Sequence, residues 1–325
     1  MSNYSLIQKF LHIIVLKYKG VRRTLFEFES YFSKNKHLNI SKNKHIFVNG
    51  LARSGTTILL NSLYESDEFA SLTYLDMPFV LSPNLWSNFH SGSNNFDSQH
   101  RAHKDGIFIS TSSPEAFEEV FWKTYSDSND ESFEKYQRYL SYILSRYNKD
   151  RYLCKNNQNL KRINKIADIL PNAKFFIPFR EPLSHANSLL RQHLDFIQRA
   201  KDNNFIKQYM NLIGHTEFGP NYIPINKIHL YHDHSSLDHW LEQWNLYYME
   251  AIKLASKRNE FYLINHDLIC KNDEYWEKIQ SLSRLSGNTK SLYKVKVNKI
   301  SNKLYASDNL ESCQETYKKL LNVCF

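Results

Sequence analysis

Short apolar runs alternate along the chain with longer stretches whose apolar residues recur at helical spacing. The apolar runs predict five strands, at residues 46–48, 67–75, 151–154, 175–179 and 261–264. The longer stretches predict helices at residues 57–64, 131–147, 160–170, 240–255 and 275–285, and one that begins at Pro182. This alternation predicts an α/β fold, with a mainly parallel central sheet of about five strands between two helical layers.

Two segments interrupt the alternation. Residues 77–112 are rich in Asn, Ser, Pro and His and predict a long loop or lid, while residues 195–238 predict an irregular insertion with some helix. A helix is expected from Ser113, because this residue can cap it, Pro114 suits its first position and acidic residues follow.

The domain organisation follows from the absence of a dividing linker. No Pro-, Gly- or Ser-rich stretch separates the 325 residues into halves. We therefore expect a single domain over residues 1–325. Its core would span about 44–285, with an N-terminal helical segment at 1–43 and a basic, helical C-terminal segment at 286–325.

The first predicted strand leads into a turn with the layout of a phosphate-binding loop. Gly50 and Gly55 bracket four residues and Thr56 and Thr57 follow, so the run reads G-x-x-x-x-G-T-T. The lysine that reaches the β- and γ-phosphates in nucleotide triphosphatases is missing. Backbone N–H groups at a helix start can hold a phosphate without it, and Arg53 supplies a cation within the turn.

A second motif completes a resemblance to sulfotransferases that use 3′-phosphoadenosine-5′-phosphosulfate (PAPS). Residues 53–57 read Arg-Ser-Gly-Thr-Thr, and the fourth predicted strand is followed by Arg180 and, eight positions later, by Ser188. Both motifs follow an apolar strand and precede a helix, as in that family. The chain most resembles bacterial sulfotransferases of the Golgi-type-like group, over roughly residues 44–285. It lacks the Gly-x-x-Gly closing loop of the cytosolic small-molecule enzymes.

The resemblance implies a P-loop-like fold, PAPS as co-substrate and a donor site in two parts. Arg180 and Ser188 would hold the 3′-phosphate. The phosphate loop would hold the 5′-phosphosulfate with Arg53, Ser54, Gly55, Thr56 and Thr57. No metal is expected, because the donor is already activated and the His232-Asp-His234 run has no second ligand pair.

Sulfuryl transfer needs a base for the acceptor hydroxyl and a cation near the leaving phosphate. Arg53 matches the family's loop cation, and Lys155 matches a lysine near the acceptor or the sulfate. Related enzymes place a carboxylate a little over twenty positions beyond the loop cation, and Asp76 lies 23 positions after Arg53. Other candidate bases remain open, namely His103, Asp105, Glu115, Glu118 and Glu119.

The predicted acceptor is a glycan hydroxyl, in a capsular or lipopolysaccharide precursor. Aromatic and polar side chains in and beside residues 77–112 suit stacking on sugar rings, and we expect acceptor contacts from Trp86, Arg101, His103, Asp105 and Glu119. Two alternatives are a nucleoside or small-metabolite kinase of the same fold and a glycan-binding relative without catalysis. Thr56 in the lysine position argues against the kinase.

Charge and cysteine usage bear on partners and location. The net charge of +9 fits an anionic ligand or surface without selecting one, and we predict no nucleic acid partner. Four scattered cysteines favour a reducing cytoplasm. Residues 10–16 are apolar but too few to span a bilayer, so contact with the inner membrane would be peripheral.

Overall fold

A computed structural model defines the architecture. It describes residues 6–33, 40–89, 99–100, 108–126, 129–225, 231, 233–287, 289 and 307–325. Strands in these residues are β1 (Ile46–Val48), β2 (Phe69–Ala70), β3 (Gln99–His100), β4 (Phe108–Ile109), β5 (Arg151–Lys155), β6 (Lys174–Phe179) and β7 (Phe261–Asn265).

Five of these strands form one parallel sheet in the order β2-β5-β1-β6-β7. Strand β1 lies at its centre, with Ile46 opposite Leu153 of β5 and Lys174 of β6. Strands β3 and β4 pair separately and antiparallel. The predicted sheet of about five parallel strands is confirmed.

Helices connect and cover the strands. In chain order they are α1 (Leu6–Lys17), α2 (Lys19–Glu29), α3 (Thr56–Tyr64), α4 (Pro83–Phe89), α5 (Glu119–Tyr125), α6 (Asp130–Tyr147), α7 (Ile163–Ile169), α8 (Pro182–Asp202), α9 (Asn204–Leu212), α10 (Leu237–Ala255), α11 (His266–Lys271), α12 (Asp273–Ser283) and α13 (Asp308–Val323). Short 3₁₀ turns span Ile40–Lys42, Tyr74–Asp76 and Asn157–Lys161. None of the helices described here is both long and apolar enough to cross a membrane.

Successive side chains of a strand point to opposite faces of the sheet, so the hydrophobic core forms two clusters, one on each face. In β1, Ile46 and Val48 face a cluster built with α3, α11 and α12, while Phe47 faces the larger opposite cluster. Phe47 stacks on Phe175 of β6, with ring centroids 5.0 Å apart. The result is a three-layer α/β/α arrangement, because each strand buries side chains on both faces.

Local structure differs from the prediction around residues 67–75 and at Ser113. Only Phe69–Ala70 pairs as a strand, and the chain then turns through the 3₁₀ segment Tyr74–Asp76. The helix expected from Ser113 begins at Glu119. Pro114 bridges Thr73, and the Glu115 N–H donates to the Leu72 carbonyl oxygen at 3.0 Å, so pairing with a distant segment replaces the local helix start.

The two predicted irregular segments contain regular structure. Helix α4 lies within the predicted loop 77–112, and α8 extends to Asp202 and is followed by α9 within the predicted insertion 195–238. The Glu181 carboxylate caps α8, accepting hydrogen bonds from the N–H groups of Leu183 and Ser184.

Candidate active site

A cleft of about 180 Å³ lies where the carboxyl ends of the parallel strands meet. Such an edge is the usual binding position in open α/β sheets. One side of the cleft contains the loop after β1, Lys155 at the end of β5, Arg180 after β6 and His266 after β7. Parallel strands end at the same edge of the sheet, so the sequence motifs that follow them lie close together.

The loop after β1 is held in a fixed shape before α3 begins at Thr56. The Ser54 N–H donates to the Leu51 carbonyl oxygen at 3.1 Å, and Gly55 has a φ of +100°. His185 lies against the loop with Nε2 2.8 Å from the Ala52 carbonyl oxygen. Burial lowers the pKa of His185 to about 3. The ring is therefore neutral near pH 7, and its Nε2–H donates to the loop.

Gly55 is required by both its backbone angle and its contact with His266. A Cβ placed on Gly55 would lie 2.4 Å from Cδ2 of His266, and the left-handed region disfavours a side chain. We expect Gly55→Ala to reduce the free energy of unfolding by more than about 1 kcal/mol. Chemical denaturation measures this, with Gly20→Ala as the control because a Cβ there meets nothing within 4 Å. Equal stability of the two variants would contradict the prediction.

The two phosphate motifs meet beside this loop. Nε of Arg53 donates to Oγ of Ser188 at 3.3 Å, and Nη1 of Arg180 donates to the Arg53 carbonyl oxygen at 3.0 Å. Arg53 itself has a φ of +71°, which is uncommon for a residue with a side chain. Residues that are 135 positions apart are thus in direct contact, as a two-part donor site requires.

A chain of polar contacts runs from the loop toward the opposite wall. Nζ of Lys155 donates to Oγ1 of Thr57 at 3.1 Å and lies 3.5 Å from Oε1 of Glu115. The other oxygen of Glu115 accepts from the Tyr74 hydroxyl at 3.0 Å. Glu115, Lys155 and Tyr74 all line the cleft. Glu115 was one of the open candidates for the base, whereas Tyr74 was not predicted.

Asp76 has a different position from the one its sequence spacing indicated. Its side chain is fully buried and is absent from the cleft lining in the part of the chain that the structure describes. Oδ2 accepts from the Thr73 N–H at 2.8 Å and from the Tyr147 hydroxyl at 2.5 Å, which closes a capping box. Burial raises the pKa of Asp76, opposed by these hydrogen bonds. Among the described residues, this carboxylate caps the turn and does not line the cleft.

The remaining acidic candidates differ in exposure to the cleft. Glu119 lines it, and both its oxygens accept from Nη2 of Arg162, at 3.2 and 3.0 Å. Burial raises the pKa of Glu119 and Arg162 opposes that shift. Glu118 is buried and accepts hydrogen bonds from Trp122, Tyr136, Tyr152, Cys154, Asn156 and Asn159.

The predicted acceptor residues are only partly brought together. Glu119 lies in the cleft, but Trp86 is not among the described residues that line it. Nε1 of Trp86 donates to the Leu75 carbonyl oxygen at 2.9 Å, and its ring stacks on Phe79 with centroids 4.5 Å apart. The predictions for Arg101, His103 and Asp105 lie outside the described residues.

The wall opposite the phosphate loop comes from α9 and the turn after it. Gln158 fixes this turn, because its Nε2 donates to the Gly214 carbonyl oxygen at 2.7 Å. Nδ1 of His215 lies 3.3 Å from Oε2 of Glu217, whose other oxygen accepts from Nδ2 of Asn157 at 3.3 Å. The sequence did not predict this wall, which includes Tyr209, Ile213, Gly214, His215, Glu217 and Phe218.

Metal binding has no support in the residues described. They contain no group of three or more His, Cys, Asp or Glu side chains that could hold a metal ion. The basic side chains that line the cleft beside this loop include Arg53, Arg180, Lys155 and His266. Burial lowers the pKa of His266, opposed by its neighbour Asp267. The cleft thus offers an anion site made of loop backbone, cations and hydroxyl groups.

The fold and the cleft define an α/β enzyme of the phosphate-loop type that lacks the triphosphate-binding lysine. The profile described as "Sulfotransferase family" matches residues 45–218, more than half of the chain. The chain belongs to the Sulfotransferase family, and it is a sulfotransferase. The predicted family is therefore confirmed.

The fold is similar to that of a solved sulfotransferase. Sulfotransferase STF1 from Mycobacterium tuberculosis is 14% identical, and the alignment covers 96% of this chain and 81% of that one, with a TM-score of 0.51. Sulfotransferase STF9 from Mycobacterium avium is 11% identical, with coverages of 97% and 78% and a TM-score of 0.48. No curated protein sequence matches the chain significantly.

Proposed function

We propose that the enzyme transfers a sulfuryl group from PAPS to a hydroxyl group of a glycan. The observation that carries this proposal is the contact between its two phosphate motifs, Arg53 with Ser188 and Arg180 with the Arg53 carbonyl group. A donor with phosphates at both its 3′ and 5′ positions needs two anion-binding groups side by side. A triphosphate would need the P-loop lysine, and Thr56 stands in that position.

The donor's 5′ end would bind at the first turn of α3. A helix start presents N–H groups that have no intrahelical acceptor, and its dipole favours negative charge. Thr56 and Thr57 begin this helix, and both line the cleft. The 3′-phosphate would bind at Arg180 with Ser188. In this arrangement the sulfuryl group lies near Lys155, which already contacts Thr57.

Glu115 is the carboxylate we assign as the base. It lines the cleft, and its side chain is only 9% exposed. The acceptor oxygen would attack sulfur in line and pass its proton to Glu115. The bond between sulfur and the bridging phosphate oxygen breaks, and 3′-phosphoadenosine-5′-phosphate leaves. Arg53 and Lys155 would stabilise the negative charge that develops on that oxygen.

The side chains that line the cleft favour a neutral, hydroxyl-rich acceptor. Glu115 and Glu119 line the cleft and are paired with Lys155 and Arg162, respectively. These two cations are neutralised by their carboxylate partners, so they would not attract a polyanionic glycan. Aromatic rings that line the cleft, those of Tyr74, Phe117, Tyr209 and Phe218, suit contact with sugar rings.

A surface-glycan precursor, of the capsular or lipopolysaccharide type, is the acceptor class that we propose. Such precursors are assembled at the inner membrane, so the enzyme would act in the cytoplasm and contact that membrane peripherally. The first helix offers a surface for this contact, since Phe10 is 65% exposed and Lys17 is also exposed.

Two measurements test the proposed function. Calorimetric titration should show tight binding of 3′-phosphoadenosine-5′-phosphate and much weaker binding of ATP. Transfer from PAPS should then be measured with neutral oligosaccharides, uronic acid oligosaccharides and simple phenols. Tight binding of ATP instead would contradict the assignment of PAPS as donor, and transfer to none of these acceptors would contradict the proposed acceptor class. Rapid sulfation of phenols alone would refute the glycan assignment.

Arg180→Ala should weaken binding of 3′-phosphoadenosine-5′-phosphate by about 2–3 kcal/mol, which is roughly 30- to 150-fold. Adenosine-5′-phosphosulfate should be much less affected, because it has no 3′-phosphate for Arg180 to bind. Isothermal titration measures both affinities. The control is Arg191→Ala, which removes an exposed arginine from α8, the helix that follows Arg180. Equal losses for the two ligands would contradict the role of Arg180.

A further inference from the structure

A second cluster of cationic side chains lies at the amino edge of the sheet, opposite the cleft. Lys44 precedes β1, Arg151 begins β5, Lys174 begins β6 and Arg284 follows α12. Parallel strands run in the same direction, so their first residues meet at one edge of the sheet and their last residues at the other. These four side chains line a small cavity of about 60 Å³ with His45, Ile46, Asn172, Leu282 and Ser283.

Two of these cations are held in position by backbone carbonyl groups. Nζ of Lys174 donates to the Leu282 carbonyl oxygen at 2.8 Å, and Nε of Arg151 donates to that of Lys44 at 3.0 Å. Nη1 of Arg151 also donates to the Arg284 carbonyl oxygen at 3.2 Å. These bonds join the backbone segments that carry Lys44 and Arg284 to Arg151, so all four cationic residues lie together at this edge of the sheet.

The positive charge of this group exceeds the negative charge beside it. Glu68 pairs with Arg151 at 2.8 Å and also accepts from the Ser286 N–H. Burial lowers the pKa of Lys174, and the charges of Arg284, Arg151 and Lys44 lower it further. Glu260, a further carboxylate near this end of the sheet, pairs with Arg258 at 2.6 Å. Glu68 thus compensates Arg151, whereas Lys44, Lys174 and Arg284 bring three further positive charges together at the cavity.

His45 adds no charge to the cavity. Its Nδ1 accepts from the Tyr152 N–H at 2.9 Å, so the proton is on Nε2, which donates to the Ile40 carbonyl oxygen at 2.9 Å. Both ring nitrogens are thus used within the protein. The exposed side chains of Lys44 and Arg284 remain as the cations at the cavity mouth.

We propose that this amino-edge pocket binds a tetrahedral oxyanion, sulfate or phosphate, either free or as an ester. A bound dianion would offset the repulsion among Lys44, Lys174 and Arg284, and its oxygens would accept charge-assisted hydrogen bonds from these three side chains. The small cavity suits one such group and excludes a nucleotide. This site lies at the opposite edge of the sheet from the donor cleft.

The test measures sulfate binding to the full chain with the donor cleft filled. In excess 3′-phosphoadenosine-5′-phosphate, wild-type protein should show saturable calorimetric binding of inorganic sulfate that chloride at equal ionic strength does not reproduce. The Lys44→Ala/Arg284→Ala double variant should bind sulfate at least about 10-fold more weakly, the scale of a lost charge-assisted contact. Lys42→Ala, which removes a nearby exposed lysine, should bind like wild type.

Further titrations distinguish the possible sources of the anion, and some of their outcomes would contradict the proposed site. Inorganic phosphate and a sulfated oligosaccharide replace sulfate in parallel titrations, and tighter binding of the oligosaccharide would identify an ester as the natural ligand. Unsaturable binding, an equal response to chloride, or unchanged affinity in the double variant would each overturn the proposal. Both substitutions affect exposed side chains, so thermal unfolding should show an intact fold.

Discussion

Glu115→Gln should reduce sulfuryl transfer by about 10²–10⁴-fold, the usual contribution of a positioned general base. The amide has nearly the same shape as the carboxylate and keeps an oxygen for the Tyr74 hydroxyl, which lies 3.0 Å from Glu115. It cannot accept the proton of the acceptor hydroxyl. Affinity for 3′-phosphoadenosine-5′-phosphate should change little, because the proposed donor site consists of the loop, Arg180 and Ser188. Single-turnover kinetics and calorimetry measure the two effects separately.

Asp76→Asn is the matched comparison, since it makes the same chemical change in a buried carboxylate outside the cleft. It should lower stability, because it disturbs the capping box and the contact with Tyr147, while folded molecules keep most of their turnover. The assignment of the base to Glu115 fails if Glu115→Gln retains near wild-type turnover. Loss of turnover in folded Asp76→Asn, or in a Glu119 or His103 variant alone, would identify a different base.

The parts of the site that sequence predicted are those fixed by local pattern. Strand β1, the glycine-containing loop and α3 follow one another directly, so their order alone was enough to predict an anion site there. Arg180 and Ser188 also belong to one strand-loop-helix unit. Parallel strands then bring these units to one edge, which is why residues as distant as Arg53 and Ser188 could be expected to meet.

Asp76 shows where spacing along the chain is insufficient. Its distance from Arg53 matched the family, but spacing does not reveal whether a carboxylate faces a cleft or caps a turn. A local signal for capping was present, since Thr73 and Asp76 have the Ser/Thr-x-x-acid spacing of a capping box. Glu115 could not be placed from sequence, because Pro114 pairs with Thr73, a contact between distant segments.

The wall of the cleft formed by α9 and the turn after it could not be predicted either, because its position also depends on contacts between distant segments. Residues 195–238 lack a clear strand pattern, so the local sequence does not indicate which of their side chains face the cleft. Their position depends on contacts such as that of Gln158 with the Gly214 carbonyl group. His215 and Glu217 therefore come near Asn157 only through tertiary packing.

Lys155→Met should lower sulfuryl transfer by roughly 10²–10³-fold, the scale seen when one preorganised electrostatic donor is removed from an active site. Methionine keeps much of the apolar stem but cannot contact the sulfuryl group or the leaving oxygen. It also removes the ammonium group that lies 3.5 Å from Glu115, in a position where both side chains are more than nine-tenths buried. Without that charge, the carboxylate of Glu115 becomes harder to ionise.

This second effect gives the prediction a pH signature that a simple loss of affinity would not have. Glu115 must be ionised to accept a proton, so the acidic limb of the rate profile should move to higher pH in Lys155→Met, and part of the lost rate should return as pH rises. The control is Lys165→Met, which removes an exposed lysine and should leave rate and profile unchanged. An equal loss of rate at every pH would agree with a role of Lys155 at the donor. It would contradict an effect of the Lys155 charge on the ionisation of Glu115. Unchanged transfer would exclude both roles, because the contacts with Thr57 and Glu115 would then serve only to pack the wall of the cleft.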